Sequence, residues 1–156
     1  MKTDVFGYVY LTNCLGFLAE KPIFAVSRDG TDYCKTIGNL IDDYEEVRTI
    51  QVHQKLILFS PVDEGVKVTL LENLLGSKKI IKKQLEPLGG GFRRLVFALA
   101  LVNEQLVVLS GGSKVLCSEN SEYCSSVRAL NLSRGKWLSE NTIPDMNDIR
   151  FNHSSC

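Results

Sequence analysis

Only two histidines, His53 and His153, occur in the 156 residues, so imidazole chemistry has few places to happen. Neither stands beside a Ser or Cys in a recognised nucleophile motif, and both read as structural. The five cysteines are Cys14, Cys34, Cys117, Cys124 and Cys156, with no C-x-x-C pair among them. That odd count, with two histidines as the only imidazole ligands, fits neither a zinc module nor a dense disulfide framework. Cys117 and Cys124 flank six residues, so a disulfide across a loop tip stays open beside the favoured reading of reduced intracellular thiols. Gly89-Gly90-Gly91 and Gly111-Gly112-Ser113-Lys114 suggest phosphate cradles. Neither is followed by the Gly-Lys-Ser/Thr and helix that such a cradle needs, so both read as linkers. Asp42-Asp43 and Glu45-Glu46 read as a polar connection leading to Arg48. No catalytic residue, metal set or cofactor is expected.

One charge cluster stands out. Lys78, Lys79, Lys82, Lys83, Arg93 and Arg94 fall within 17 residues opposed only by Glu86, a local +5 in a chain whose net charge is zero. Nucleic acid or an acidic ligand is one reading of the 78–94 segment. Phe92 is its only aromatic, which leaves bases no stacking platform. A solvated face, or a patch for an acidic peptide, is preferred and nucleic acid is ranked low.

The elements that would hold these groups are strands. With 44% hydrophobic and 23% charged residues the chain is an ordinary globular domain, and no apolar run reaches the roughly 18 residues of a membrane span. The apolar stretch after Met1 imitates a signal peptide, but Asp4 and Thr12-Asn13 spoil it. The sequons at Asn131 and Asn152 carry little weight without such a signal. A cytoplasmic protein is the expectation. Phe6–Leu11, Leu56–Ser60 and Leu106–Ser110 are short apolar runs whose starts lie 50 residues apart, the signature of stacked repeats.

The flanks of the last run repeat as well. Pro87 precedes Arg93 by six positions, and Pro144 precedes Arg150 by the same offset. Between them Phe97–Val102 reads as a strand, Asn103-Glu104 as a turn and Gln105–Ser110 as the returning strand, stopped by Gly111-Gly112. Val127–Leu132 is a third strand and Lys136–Leu138 a short fourth, after the Ser133-Arg134-Gly135 turn. Four antiparallel strands per unit make a propeller blade.

These residues resemble the kelch repeat. The family pattern of strand, Gly-Gly, Tyr, Trp and a proline segment ending in Arg is met by Gly111, Gly112, Leu130 in the Tyr place, Trp137, Pro144 and Arg150. Earlier repeats are degraded: Pro61-Val62 replaces the diglycine, Asp63-Glu64-Gly65 forms the turn, and counting back from Pro87 puts Ile80 in the Trp place. The resemblance implies an all-β, partial kelch-like propeller of about three four-stranded antiparallel blades. Its repeats would span roughly 1–47, 48–92 and 93–150, with 151–156 opening a further blade. A longer chain or self-assembly would then be needed for closure. It also implies a non-enzymatic protein-interaction module with a protein or peptide partner, acidic if Arg48, Arg93 and Arg150 line up on the ligand face. A kelch-type oxidase remnant lacks ligands here, and no cofactor is implied. Trp137 is expected to be largely buried against a neighbouring unit, and Pro144 to end the outer strand.

Overall fold

The computed structural model describes residues 8–11, 21–27, 35–40, 47–73, 80–115 and 121–148, the first three stretches, Val115 and Ser121 by backbone alone. Every regular element among them is a strand. β1 (Tyr8–Leu11), β2 (Lys21–Ser27) and β3 (Lys35–Leu40) form an antiparallel sheet in that order. The run read at Phe6–Leu11 holds β1; Phe6 and Gly7 lie outside the described residues.

The second sheet runs β4 (Arg48–Val52), β5 (Lys55–Val62), β6 (Gly65–Glu72), β7 (Ile81–Gln84), all antiparallel, and β8 (Leu88–Gly89) adds to the start of β6. Two-residue turns, His53-Gln54 and Asp63-Glu64, join its first three strands. Pro61 is tolerated in β5 because the β4 ladder stops at Phe59, leaving that flank of the strand unpaired. Gly65 has φ 151, and a Cβ there would run into the Leu88 carbonyl, so only glycine lets β8 lie against β6. β7 is exposed along its length and carries Lys82 and Lys83, charges that discourage further pairing on a sheet edge.

The remaining strands are β9 (Arg93–Leu95), β10 (Ala98–Val102), β11 (Leu106–Ser110), β12 (Ser113–Val115), β13 (Ser121–Tyr123), β14 (Val127–Asn131) and β15 (Lys136–Trp137). β10, β11, β14 and β15 make a four-stranded antiparallel sheet, with Val107 opposite both Leu101 and Leu130 and Trp137 opposite Leu130. This is the pairing expected from the sequence. Asn103 and Glu104 take φ 50 and 53, and the Gln105 N–H donates to the Val102 carbonyl at 3.1 Å, a turn whose twist matches the strands it joins. A small sheet, β13–β12–β9, was not foreseen; SKV and SEY are too short and polar to announce strands.

The two larger sheets share one core. Ile57, Phe59, Val66 and Val68 from one meet Val107, Leu109 and Leu130 from the other, with Phe97 and Leu88 beside them. Leu56–Pro61 is buried throughout, so both faces of β5 are covered, whereas β11 buries only Val107 and Leu109. The contrast explains a continuous apolar run in one strand and alternation in the other. The chain is an all-β stack of antiparallel sheets, a partial and unclosed propeller-like arrangement.

Two expectations need correction. Ile80 is not on the outer strand; across from Leu70, where its own sheet places the counterpart of Trp137, stands Lys83. Counting from proline failed because the connection after the outer strand is shorter in this unit. Pro144 does not end β15, which stops at Trp137. It opens a strap that returns to β14: the Val127 N–H donates to Asp145 Oδ1 at 3.2 Å, and the Met146 N–H to the Ser125 carbonyl at 2.9 Å.

Candidate functional site

β9 places two arginines back to back, and period-two alternation sends them to opposite sides. Arg94 goes inward and is 3% exposed. Its Nε donates to the Gly111 carbonyl at 2.7 Å and its Nη2 to the Ser126 carbonyl at 2.9 Å. Burial draws this guanidinium below its ordinary pKa; Cys124 opposes the shift, Arg128 adds to it and Asp145 opposes it. Gly112, at φ 102, would bring a Cβ within 2.6 Å of the Leu95 carbonyl oxygen, so the diglycine exit from β11 is packed too tightly for any side chain. The Cys124 N–H donates to the Gly112 carbonyl at 2.8 Å, and the Cys124 thiol is free and buried.

Above this anchor lies a cavity of about 190 Å³ at the seam between the two large sheets, with Val66 and Leu88 on one side and β12 and β14 on the other. Three cations line it: Arg94, Lys114 and Arg128. Among the described residues one carboxylate opposes them, Glu140, paired to Arg128 Nη1 at 2.5 Å. The buried Arg128 Nε meets no acceptor among the described residues. Lys114 Nζ sits 4.8 Å from the centre of the Phe92 ring, which holds the ammonium by cation–π attraction beside the opening. An excess of positive charge between low-dielectric walls attracts a carboxylate or another oxyanion. Gly89 and Gly90 leave backbone rather than side chains at the mouth.

The arginines singled out from the sequence are not gathered here. Arg48 is exposed at the start of β4, opposite Phe59, while the residue in the matching place of the next sheet is Leu99, opposite Leu109. Arg93 is half-buried on β9, opposite Val115, and Arg150 lies outside the described residues. Of the cations that line the cavity, the sequence marks Arg94 only as one member of the 78–94 charge cluster and Lys114 only within a phosphate-cradle reading that fails, and it passes over Arg128. For Arg94 a signal existed: of two adjacent arginines on a short strand, one must face in. Arg128 and Lys114 gave none: Lys114 comes to Arg94 only through the unforeseen β12–β9 pairing, and Arg128 reaches them from a strand of another sheet.

The motif residues take structural places. Leu130 is fully buried, and Gly111 accepts the Arg94 bond. Trp137 is half-buried, short of the burial expected, because its strand is the outer edge of its sheet. It does pack on the neighbouring unit: its ring meets Phe59 edge-on, centroids 6.5 Å apart, and its Nε1 donates to the Glu86 carbonyl at 2.8 Å. The Trp137 N–H donates to Glu86 Oε2 at 2.6 Å and the Glu86 N–H to the Gly135 carbonyl at 3.1 Å, so the β14–β15 turn is latched to the segment after β7. His53 pairs with Glu104 at 3.2 Å across two turns, and His153 is outside the described residues. Among the described residues no three His, Cys, Asp or Glu side chains cluster as a metal site, and no helix is long and apolar enough to cross a membrane.

No family model matches the chain, and no curated protein does. Fourteen solved chains match it. The structure of YjhT aligns with a TM-score of 0.62 at 12% identity, covering 85% of this chain and 41% of that one. The chain thus spans about two-fifths of the length of that protein, and at such identity the likeness is one of fold: a run of propeller-like antiparallel blades.

Proposed function

We propose that the chain is a kelch-like repeat protein that works without catalysis, as a cytoplasmic protein-interaction module, and that its seam cavity receives an acidic side chain of a partner segment. The observation that carries this reading is the convergence of Arg94, Lys114 and Arg128 on one small cavity where, among the described residues, Glu140 alone opposes them. Arg94 is committed to two carbonyls and supplies fixed charge; Lys114 and Arg128 are the groups that contact the ligand. Arginine suits this task through its bidentate fork. Selecting phage-displayed peptides on the immobilised chain tests the reading. An Asp- or Glu-containing consensus, lost when selection is repeated on Lys114→Glu, supports it. A consensus without acidic residues, or one indifferent to that substitution, rejects it.

A further inference from the structure

On the other face of the same seam is a second, larger cavity of about 320 Å³, with the character opposite to that of the basic one. Its floor is Val52, Ile57, Leu70, Leu85 and Leu132. Val52 and Ile57 belong to the core, but the three leucines are only half-buried and turn part of their apolar surface into the cavity. At about 30 Å³ per water molecule the space is that of roughly ten waters, facing surface that does not bond them. A concave, apolar site of this size with a few polar groups at its rim is the usual form of a small-molecule pocket.

The rim decides the kind of ligand. His53 Nε2 lies 3.2 Å from Glu104 Oε2, and Lys55 is paired with Glu72 at 2.6 Å, so the lysine and the glutamate that line the rim each already have a protein partner. An ionic ligand would meet no excess of either sign and would lose its hydration over the leucines. Gln105 and Ser133 complete the rim; Ser133 Oγ donates to Asn131 Oδ1, whereas the exposed Gln105 side-chain amide meets no protein partner among the described residues. It can donate to or accept from a ligand. The turns that carry this rim place His53, Asn103 and Glu104 at positive φ, the backbone conformation of tight hairpin connections.

We infer that this leucine-floored cavity between the His53 and Glu104 turns binds a small, uncharged, largely apolar molecule with one hydrogen-bonding group, received by Gln105. The site is separate from the acidic-ligand cavity and does not depend on it.

Indole serves as the probe, titrated into the full chain labelled at its Ile and Leu methyl groups. The expected result is saturable shifts of the Ile57, Leu70, Leu85 and Leu132 methyls with a dissociation constant of roughly 1–10 mM, as its size allows. Indole-3-acetate and tryptamine should each bind about tenfold more weakly, because charge is desolvated without a partner. Leu132→Phe fills the cavity from a turn and should abolish the shifts while melting as the parent does; Leu85→Phe fills it from the opposite wall if Leu132→Phe is poorly folded. Lys114→Glu should leave indole binding unchanged. Shifts that do not saturate, shifts that persist in both filled variants, or tighter binding of either charged analogue would overturn the inference.

Discussion

Trp137→Ala tests the latch that joins the two large sheets. The substitution removes an edge-on contact to Phe59 at 6.5 Å and the 2.8 Å bond from Nε1 to the Glu86 carbonyl. Truncating a fully buried aromatic costs about 3–5 kcal/mol. Trp137 is only half-buried, which scales the apolar part to about 1.5–2.5 kcal/mol. The lost hydrogen bond adds about 0.5–1 kcal/mol, since water can reach the freed carbonyl at this edge. The sum is about 2–3.5 kcal/mol, toward the low end of what full burial would give. Urea unfolding followed by far-ultraviolet circular dichroism measures it, because the variant has no tryptophan to report. Trp137→Phe keeps a ring against Phe59 and should lose only about 1 kcal/mol. A loss under about 0.5 kcal/mol for Trp137→Ala, or equal losses for both variants, would refute the reasoning.

Other outcomes follow from the same geometry. Arg94→Met should cost about 2–4 kcal/mol in chemical denaturation, because the Gly111 and Ser126 carbonyls lose a charged donor inside the fold. Arg94→Lys should recover only part of this, one ammonium being unable to reproduce the planar fork. Gly112→Ala should destabilise by about 2–3 kcal/mol through strain at φ 102 and the approach to Leu95, while Gly89→Ala, with open space around it, should stay within about 0.5 kcal/mol. Differential scanning calorimetry of the pair separates the two. Glu86→Ala should cost about 1 kcal/mol by removing the acceptor of the Trp137 N–H, read as a lower Tm.

The fold was legible where a side-chain period or a backbone requirement left a mark. The 50-residue spacing and the Gly111-Gly112 stop identified β10, β11 and β14, because buried strands need apolar runs and the packed exit from β11 admits no Cβ. Trp137 was recognised as an inter-unit residue, but its degree of burial was overestimated, since edge position is a property of the sheet and not of the residue. The place of Ile80 was misjudged by proline counting, which assumes equal connection lengths. Little of the candidate site was legible. Lys114 and Arg128 are 14 residues apart on strands that pair with different partners, and only tertiary packing brings them to one cavity.

The most direct measurement is fluorescence anisotropy of a fluorescein-labelled hexaglutamate peptide titrated with the full chain, beside Lys114→Ala and Arg128→Gln. If the seam cavity recognises acidic side chains, the parent binds saturably and each variant binds roughly tenfold more weakly, with unchanged circular dichroism. Raising the ionic strength from about 0.05 to 0.5 M should weaken the parent most, because it has the most charge to screen. Binding of equal strength by all three proteins, or none by the parent up to millimolar concentration, would contradict the account.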